Sequence, residues 1–289
     1  MKVIRSVREM AAFSAARRRS GGYLGFVPTM GFLHDGHMSL VRFSKTECDL
    51  TAVSIFVNPA QFCPGEDLEK YPKDIDRDIL LLEGEKADIL FIPEAGEIYP
   101  KGYSTYVDMA PALTQKLCGI SRPGHFRGVA TIVAKLLNIV DPDRLYLGQK
   151  DFQQAIIVER MVRDLGFRAE VRVMPTVRES DGLAMSSRNK YLSPENRRRS
   201  GVIYKSLEKA REEAAHGERS AANIRTIVKD LLLSEEEVKI DYIEIVDPVN
   251  LEALKELDGK ALVAIAVLIG GTRLIDNMMI TSPEEKNKI

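Results

Sequence analysis

The chain is poor in cysteine, with three in 289 residues, at Cys48, Cys63 and Cys118. An odd and widely spaced set fits reduced thiols in a cytoplasmic protein better than a disulfide framework. An excess of charge is also missing. Its 41 lysines and arginines and 42 acids are interspersed and leave a net charge of −1. That argues against a dedicated nucleic-acid surface, though not against a local basic pocket. Long apolar runs are absent too. The longest, residues 261–269, is far too short to span a bilayer. The opening residues, Met-Lys-Val-Ile-Arg, begin like a strand and lack the apolar core of a secretory leader. Neither Gly-x-x-x-x-Gly-Lys-Ser/Thr nor Gly-x-Gly-x-x-Gly after a strand occurs, so P-loop and dinucleotide fingerprints are excluded. There is no internal repeat and no low-complexity segment.

What is present is an alternation of strand and helix. Apolar content of 45% and charged content of 29% are ordinary for a soluble globular protein. Residues 6–19 have helical spacing at Val7, Met10 and Phe13, with Gly21-Gly22 as a stop. Residues 23–27 read as a buried strand that Pro28-Thr29 ends, and a helix follows from Gly36 with Asp35 as its N-cap. Residues 50–57 and 88–93 read as further strands, with an amphipathic helix after Pro72 between them. Residues 105–109 suggest a short fourth strand. Residues 125–140 form the clearest amphipathic helix. A strand at 144–147, a helix at 151–165 and a strand at 169–174 complete the series.

This alternation implies a Rossmann-like, mostly parallel sheet with helices on both faces. Ligands bind such sheets at the carboxyl ends of the strands. The turns at 30–37, 58–61 and 148–151 all follow strands and should open on one edge. After Thr176 the pattern changes to a smaller α+β domain. A long helix should start at Ser193-Pro194 and run to about His216, and a second should span 220–233. Strands at 238–246 and 261–269 flank a short helix at 250–257, and residues 281–289 read as a frayed end. The expected division is 1–176 and 177–289.

Several stretches hold more polar groups than their positions need. The turn at 30–37, Met-Gly-Phe-Leu-His-Asp-Gly-His, is a strand-to-helix turn whose backbone N–H groups and helix dipole suit an anion. His34 and His37 lie three apart and can converge on one ligand. They could serve nucleotide chemistry, form half of a zinc site or be surface residues; no Cys or third His falls at ligand spacing nearby. Asn58 and Gln61 sit at a strand end, where simple turn chemistry would also explain them. Arg122 and His125 at a helix start oppose the dipole's preference for acids, which a bound anion would offset. Lys150 and Asp151 with Gln153 and Gln154 occupy another βα turn. Ser186-Ser187-Arg188 offers two hydroxyls and a guanidinium in a polar loop. A triphosphate needs donors spread along its length, and these stretches together could supply them.

Residues 28–37, Pro-Thr-Met-Gly-Phe-Leu-His-Asp-Gly-His, resemble the His-x-Gly-His signature of the nucleotidyltransferase superfamily that includes class I tRNA synthetases. Met185-Ser186-Ser187-Arg188 resembles its second, mobile-loop signature. With residues 58–62, 122–129, 148–154 and 185–193 in matching order, nearly the whole chain is similar to the pantothenate synthetase (pantoate–β-alanine ligase) family. Departures are minor: that family often has Ala where this chain has Phe32, and Glu at Asp35 and Gln149.

The resemblance implies an ATP-dependent ligase. Pantoate would attack the α-phosphate of Mg-ATP to give pantoyl adenylate and pyrophosphate, and β-alanine would then displace AMP. His34, His37, Lys150 and Arg188 would be catalytic, with His37 the proton donor. Met30, Gly148, Asp151, Val177, Met185, Ser186 and Ser187 would complete the ATP site. Asn58, Gln61, Arg122, His125 and Gln154 would serve pantoate and β-alanine. The metal ligands stay unassigned. A cytoplasmic homodimer, with the smaller domain covering the active site, and no nucleic-acid or membrane partner, are also implied. Two other readings stand beside it: a nucleotidyltransferase making a nucleotide-linked product, which would not need the Gln61/Gln154 pair, and a silent nucleotide-binding module, which would not need both His37 and Lys150.

Overall fold

The structure, a computed structural model, describes residues 1–283. Six short strands form a parallel sheet in the order β1-β4-β3-β2-β5-β6. They are β1 (Lys2–Ile4), β2 (Leu24–Thr29), β3 (Leu50–Ile55), β4 (Ile89–Phe91), β5 (Arg144–Gly148) and β6 (Glu170–Met174). Alternating side chains feed two cores, as a sheet covered on both faces requires. Leu24, Phe26, Ala52, Ile89, Phe91, Leu145 and Leu147 face α1 (Val7–Ser20), α4 (His125–Val140) and α5 (Phe152–Asp164). Val27, Val53, Leu90 and Tyr146 face α2 (Asp35–Glu47) and α3 (Ile75–Gly84). Because β3, β2 and β5 run parallel, the turns after them do open on the same edge.

The chain divides into two compact units. The first comprises Met1–Thr114, Arg122–Gln149 and Gln154–Pro175; the second comprises Gln115–Ser121, Lys150–Gln153 and Thr176–Ile289. The sequence suggested one boundary at 176/177, but two earlier segments also belong to the second unit. Gln153 stitches them together: its Oε1 accepts from Cys118 N–H at 3.0 Å and its Nε2 donates to Lys116 O at 2.7 Å. The second unit is built on an antiparallel sheet of β7 (Val238–Val246), β8 (Lys260–Ile269) and β9 (Thr272–Thr281). α7 (Gly201–Ala215) and α8 (Ala221–Leu233) cover one of its faces.

Several expectations are corrected. β2 runs on through Pro28-Thr29. Proline is tolerated there because β5 pairs only with Gly25 and Phe26, so no neighbour on that side needs its missing N–H. Residues 105–109 form no strand; Val107 N–H bonds the Thr131 hydroxyl instead. The long helix from Ser193 is two, α6 (Pro194–Arg199) and α7, which meet at Ser200, whose backbone N–H and hydroxyl both donate to the Asn196 carbonyl. Residues 250–257 are not helical; Val246 and Ser220 bridge to Ala253 and Glu256. β9 was not expected and ends at Thr281, and Ser282 N–H then bonds Gly259 O at 3.2 Å; the last six residues of the expected frayed end, 284–289, lie outside the described residues.

Candidate active site

The turn after β2 is shaped by a buried carboxylate. Gly31 and Phe32 both have positive φ, 84° and 50°. Asp78 of α3 holds this backbone, accepting from Phe32 N–H at 2.8 Å and Leu33 N–H at 2.7 Å. Burial pushes the Asp78 carboxyl above its ordinary pKa, while these two N–H donors and Arg77 pull it back. The chain then enters α2 with His34, not Asp35, at the N-cap, in an extended conformation. Asp35 is already helical, and its carboxylate pairs with Arg42.

His34 and His37 do converge. Their ring centroids are 4.0 Å apart at 40°. The His34 backbone N–H donates to His37 Nδ1 at 3.3 Å. An accepting Nδ1 leaves the neutral ring's proton on Nε2. His37 can therefore donate a hydrogen bond from Nε2 at a helix N-terminus, where anions are favoured.

A second cluster follows β3. Asn58 is buried and fully engaged. Its Nδ2 donates to Gln61 Oε1 at 3.0 Å and Gly128 O at 3.2 Å, and its Oδ1 accepts from Tyr99 OH at 2.7 Å and Ala60 N–H at 3.3 Å. Asn58 thus positions Gln61 rather than offering its own amide. Among the described residues Gln61 Nε2 meets only the Met30 thioether, at 3.1 Å. A thioether is a weak acceptor, so a better ligand oxygen could replace it.

Arg122 and His125 close the cluster, and the anion that offsets them is internal. Glu66 takes the Arg122 guanidinium in a fork, Nε to Oε1 at 2.5 Å and Nη2 to Oε2 at 2.8 Å. Burial would raise the Glu66 carboxyl, but hydrogen bonds from Arg122 and Cys63 N–H and the Arg122 charge bring it net below its ordinary value. Arg122 Nη1 lies 3.0 Å from His125 Nε2. Arginine can only donate, so Nε2 accepts and the His125 proton sits on Nδ1, which bonds Gln61 O at 2.7 Å. Gly148, at the end of β5, has open space where a Cβ would stand. Gln154, in α5, is half-buried, and its side-chain amide has no partner among the described residues.

The remaining expected residues lie in the second unit. Lys150 Nζ is 3.8 Å from Asp151 Oδ2. Met185 N–H bonds Val177 O at 3.0 Å and Arg178 bridges Ala184, so Val177 and Met185 face each other across a small hairpin. Ser186 caps a 3₁₀ turn, Ser187–Tyr191, through Arg188 N–H at 3.3 Å. Ser187 is buried. The loop is braced: Asn189 Nδ2 donates to Glu179 Oε1 and Ala184 O, and Arg197 grips Glu179 and Asp181. Among the described residues no three His, Cys, Asp or Glu side chains gather as a metal site, and the three cysteines are unpaired with one another.

Sequence reasoning missed Asp78, Glu66 and Tyr99. Asp78 holds the backbone just before His34, Glu66 and Tyr99 each hold a site residue from a distant stretch, and none of the three lies in a motif. The distances from Glu66 to Arg122 and from Tyr99 to Asn58 along the chain, 56 and 41 residues, explain why.

Comparison with known proteins identifies the family. The family model described as Pantoate-beta-alanine ligase matches residues 2–279. A pantothenate synthetase of Pelotomaculum thermopropionicum is 52% identical over 97% of this chain and 99% of its own. One from Thermosipho africanus is 51% identical over 97% and 100%. The crystal structure of pantothenate synthetase from Thermus thermophilus superposes with a TM-score of 0.92 at 46% identity, covering 96% of this chain and 99% of that one. A Francisella tularensis pantoate-beta-alanine ligase complexed with beta-gamma ATP and beta-alanine gives 0.81 at 33% identity, covering 96% and 97%. With the family model spanning almost every residue and half of all positions identical in full-length relatives, this chain belongs to the pantoate–β-alanine ligase family.

Proposed function

We propose that the chain joins pantoate to β-alanine in two steps on one ATP. A pantoate carboxylate oxygen attacks the α-phosphorus, the bond to the bridging oxygen breaks, and pyrophosphate leaves. The β-alanine nitrogen then attacks the acyl carbon, AMP departs with the former carboxylate oxygen, and the amine loses a proton. The observation that carries this reading is the convergence of His34 and His37 at the start of α2, on the sheet edge that also bears Met30 and Gln61. The ATP and β-alanine complex of the Francisella relative supports it.

In this reading His37 Nε2 and His34 meet phosphate oxygens as charge builds on them, which lowers the barrier. Lys150, Ser186, Ser187 and Arg188 hold the phosphates, with Met30, Gly148, Asp151, Val177 and Met185 around the nucleotide. Gln61 trades its thioether contact for a pantoate oxygen, and Gln154 supplies a second amide. Arg122, neutralised by Glu66, and His125 fix the Gln61 backbone; Asn58 fixes its side chain. ATP enters as its magnesium complex. The ion's protein ligands stay unassigned; magnesium commonly keeps several waters and binds through substrate phosphates with one or two carboxylates. The unpaired cysteines fit a cytoplasmic setting; no helix of the described residues is long and apolar enough to cross a membrane. A homodimer is part of the same reading.

The test is isotopic. Pantoate labelled with ¹⁸O in its carboxylate should deliver one label to AMP. Unlabelled AMP, with pantothenate formed, would rule out attack at the α-phosphorus.

A further inference from the structure

Two adjacent residues of β9, Asp276 and Asn277, are buried polar groups beside the apolar core of the small sheet. Neighbours on a strand face opposite ways. Asp276 shares a face with Leu274 and Ile280, the face of the apolar core, and Asn277 shares the other with Arg273. Burying either side chain is costly unless a specific partner satisfies it.

Each partner leads to a residue that the proposed function assigns to ATP. On the core face, Asp276 takes the Arg178 guanidinium in a fork, Nη1 to Oδ2 at 2.5 Å and Nη2 to Oδ1 at 3.1 Å. Arg178 also donates to Gly182 O at 3.0 Å and lies over the Tyr204 ring at 4.4 Å. It is thereby fixed at the base of the hairpin that pairs Val177 with Met185 and leads into Ser186–Arg188. On the other face, Asn277 Nδ2 donates to the backbone carbonyl of Lys150 at 2.9 Å. The same face carries Arg273, paired with Asp241 at 2.6 Å, and Asp241 accepts from Ser121. Ser121 ends the segment that Gln153 ties to residues 150–153.

We infer that Asn277 is a positioning residue for Lys150, and that β9, through Asp276 and Arg178 on its opposite face, sets the phosphate-binding hairpin from the same strand. The inference rests on the proposed role of Lys150. A backbone carbonyl held by a buried amide fixes where the lysine's four-carbon stem begins, and a misplacement of about 1 Å at such a group can cost on the order of a hundredfold in rate. Asn277 itself touches no substrate.

The experiment is a double-mutant cycle in the full-length protein, read by pantoate-dependent exchange of labelled pyrophosphate into ATP. Asn277→Ala should lower exchange about ten- to a hundredfold and leave the KM for pantoate unchanged. Asn277→Asp keeps the shape, loses the donor and should fall equally; it serves where the alanine variant is poorly folded. The decisive arm is Lys150→Ala alone and with Asn277→Ala. If Asn277 acts through Lys150, the double variant is no slower than Lys150→Ala, since coupled residues are not additive. Losses that multiply, or full exchange in both Asn277 variants while Lys150→Ala is impaired, would overturn the positioning role and leave the role of Lys150 standing. Full exchange in Lys150→Ala would overturn both.

Discussion

Replacing Gly128 by alanine tests how the sheet edge is assembled, because two ordinary effects oppose each other there. Gly128 lies inside α4, where an alanine would normally stabilise by about 1 kcal/mol through lower backbone entropy. Here the added Cβ would fall 2.1 Å from Ala60 O, 2.4 Å from Ala60 C and 2.6 Å from Gln61 N. All three are backbone atoms of the 3₁₀ turn Pro59–Gln61, so no side chain can rotate out of the way. The contact must open by on the order of 1 Å, and such overpacking costs about 1–3 kcal/mol. The bond from Asn58 Nδ2 to Gly128 O would be strained as well, a further loss of about 1 kcal/mol. The clash wins over the propensity gain, and the variant should be less stable by about 1–3 kcal/mol. Function should suffer more. The displaced turn carries Gln61, so pantoate-dependent exchange should drop by about a hundredfold and the KM for pantoate should rise. Denaturant titration gives the first quantity and steady-state kinetics the second. A Gly128→Ala protein as stable as the parent, with unchanged KM for pantoate, would refute the packing argument.

Gly148→Ala is the matching control. Beyond its chain neighbours, no described residue lies within 4 Å of its Cβ position, so stability should hold while the KM for ATP rises if the nucleotide fills that space; an unchanged KM for ATP would remove Gly148 from the site. His37→Ala should stay folded and lose about a hundredfold in turnover, roughly 3 kcal/mol of transition-state stabilisation, and full turnover would take His37 out of the mechanism. Glu66 gives a pH prediction. Its folded pKa lies below the ordinary 4.5, so the pair's stabilisation is full above that value and fades as pH falls through the depressed pKa. The stability gap between the parent and Glu66→Gln should therefore be flat from about pH 6 to 8 and close only in acid, whereas a gap that closes near neutrality would contradict the ion pair.

Most of the first unit's framework was legible because its signals are local. The apolar runs at β2, β3 and β5 and the 3.6-residue periodicity of α4 are set by neighbours along the chain. The paired histidines were legible too, since a three-residue spacing at a helix start is a geometric statement. What was not legible depends on contacts between distant residues. Asp78, which shapes the turn before His34, lies 45 residues from its partner Leu33. Asn58 stands in a motif, but the bonds its amide makes to Tyr99 and Gly128 could not be read from the sequence. Arg122 reads as an anion-binding charge until Glu66 is found against it. β9 was overlooked because buried Asp276 and Asn277 break its apolar pattern, although the Gly270-Gly271 turn before it is a two-residue hairpin signal.

The central claim is that this edge of the sheet activates pantoate before the amine is needed. In the proposed mechanism β-alanine enters only to break the mixed anhydride. Label from pyrophosphate should therefore pass into ATP when pantoate alone is present, and not when β-alanine alone is present. Exchange that requires β-alanine, or that proceeds with neither acid, would contradict the account.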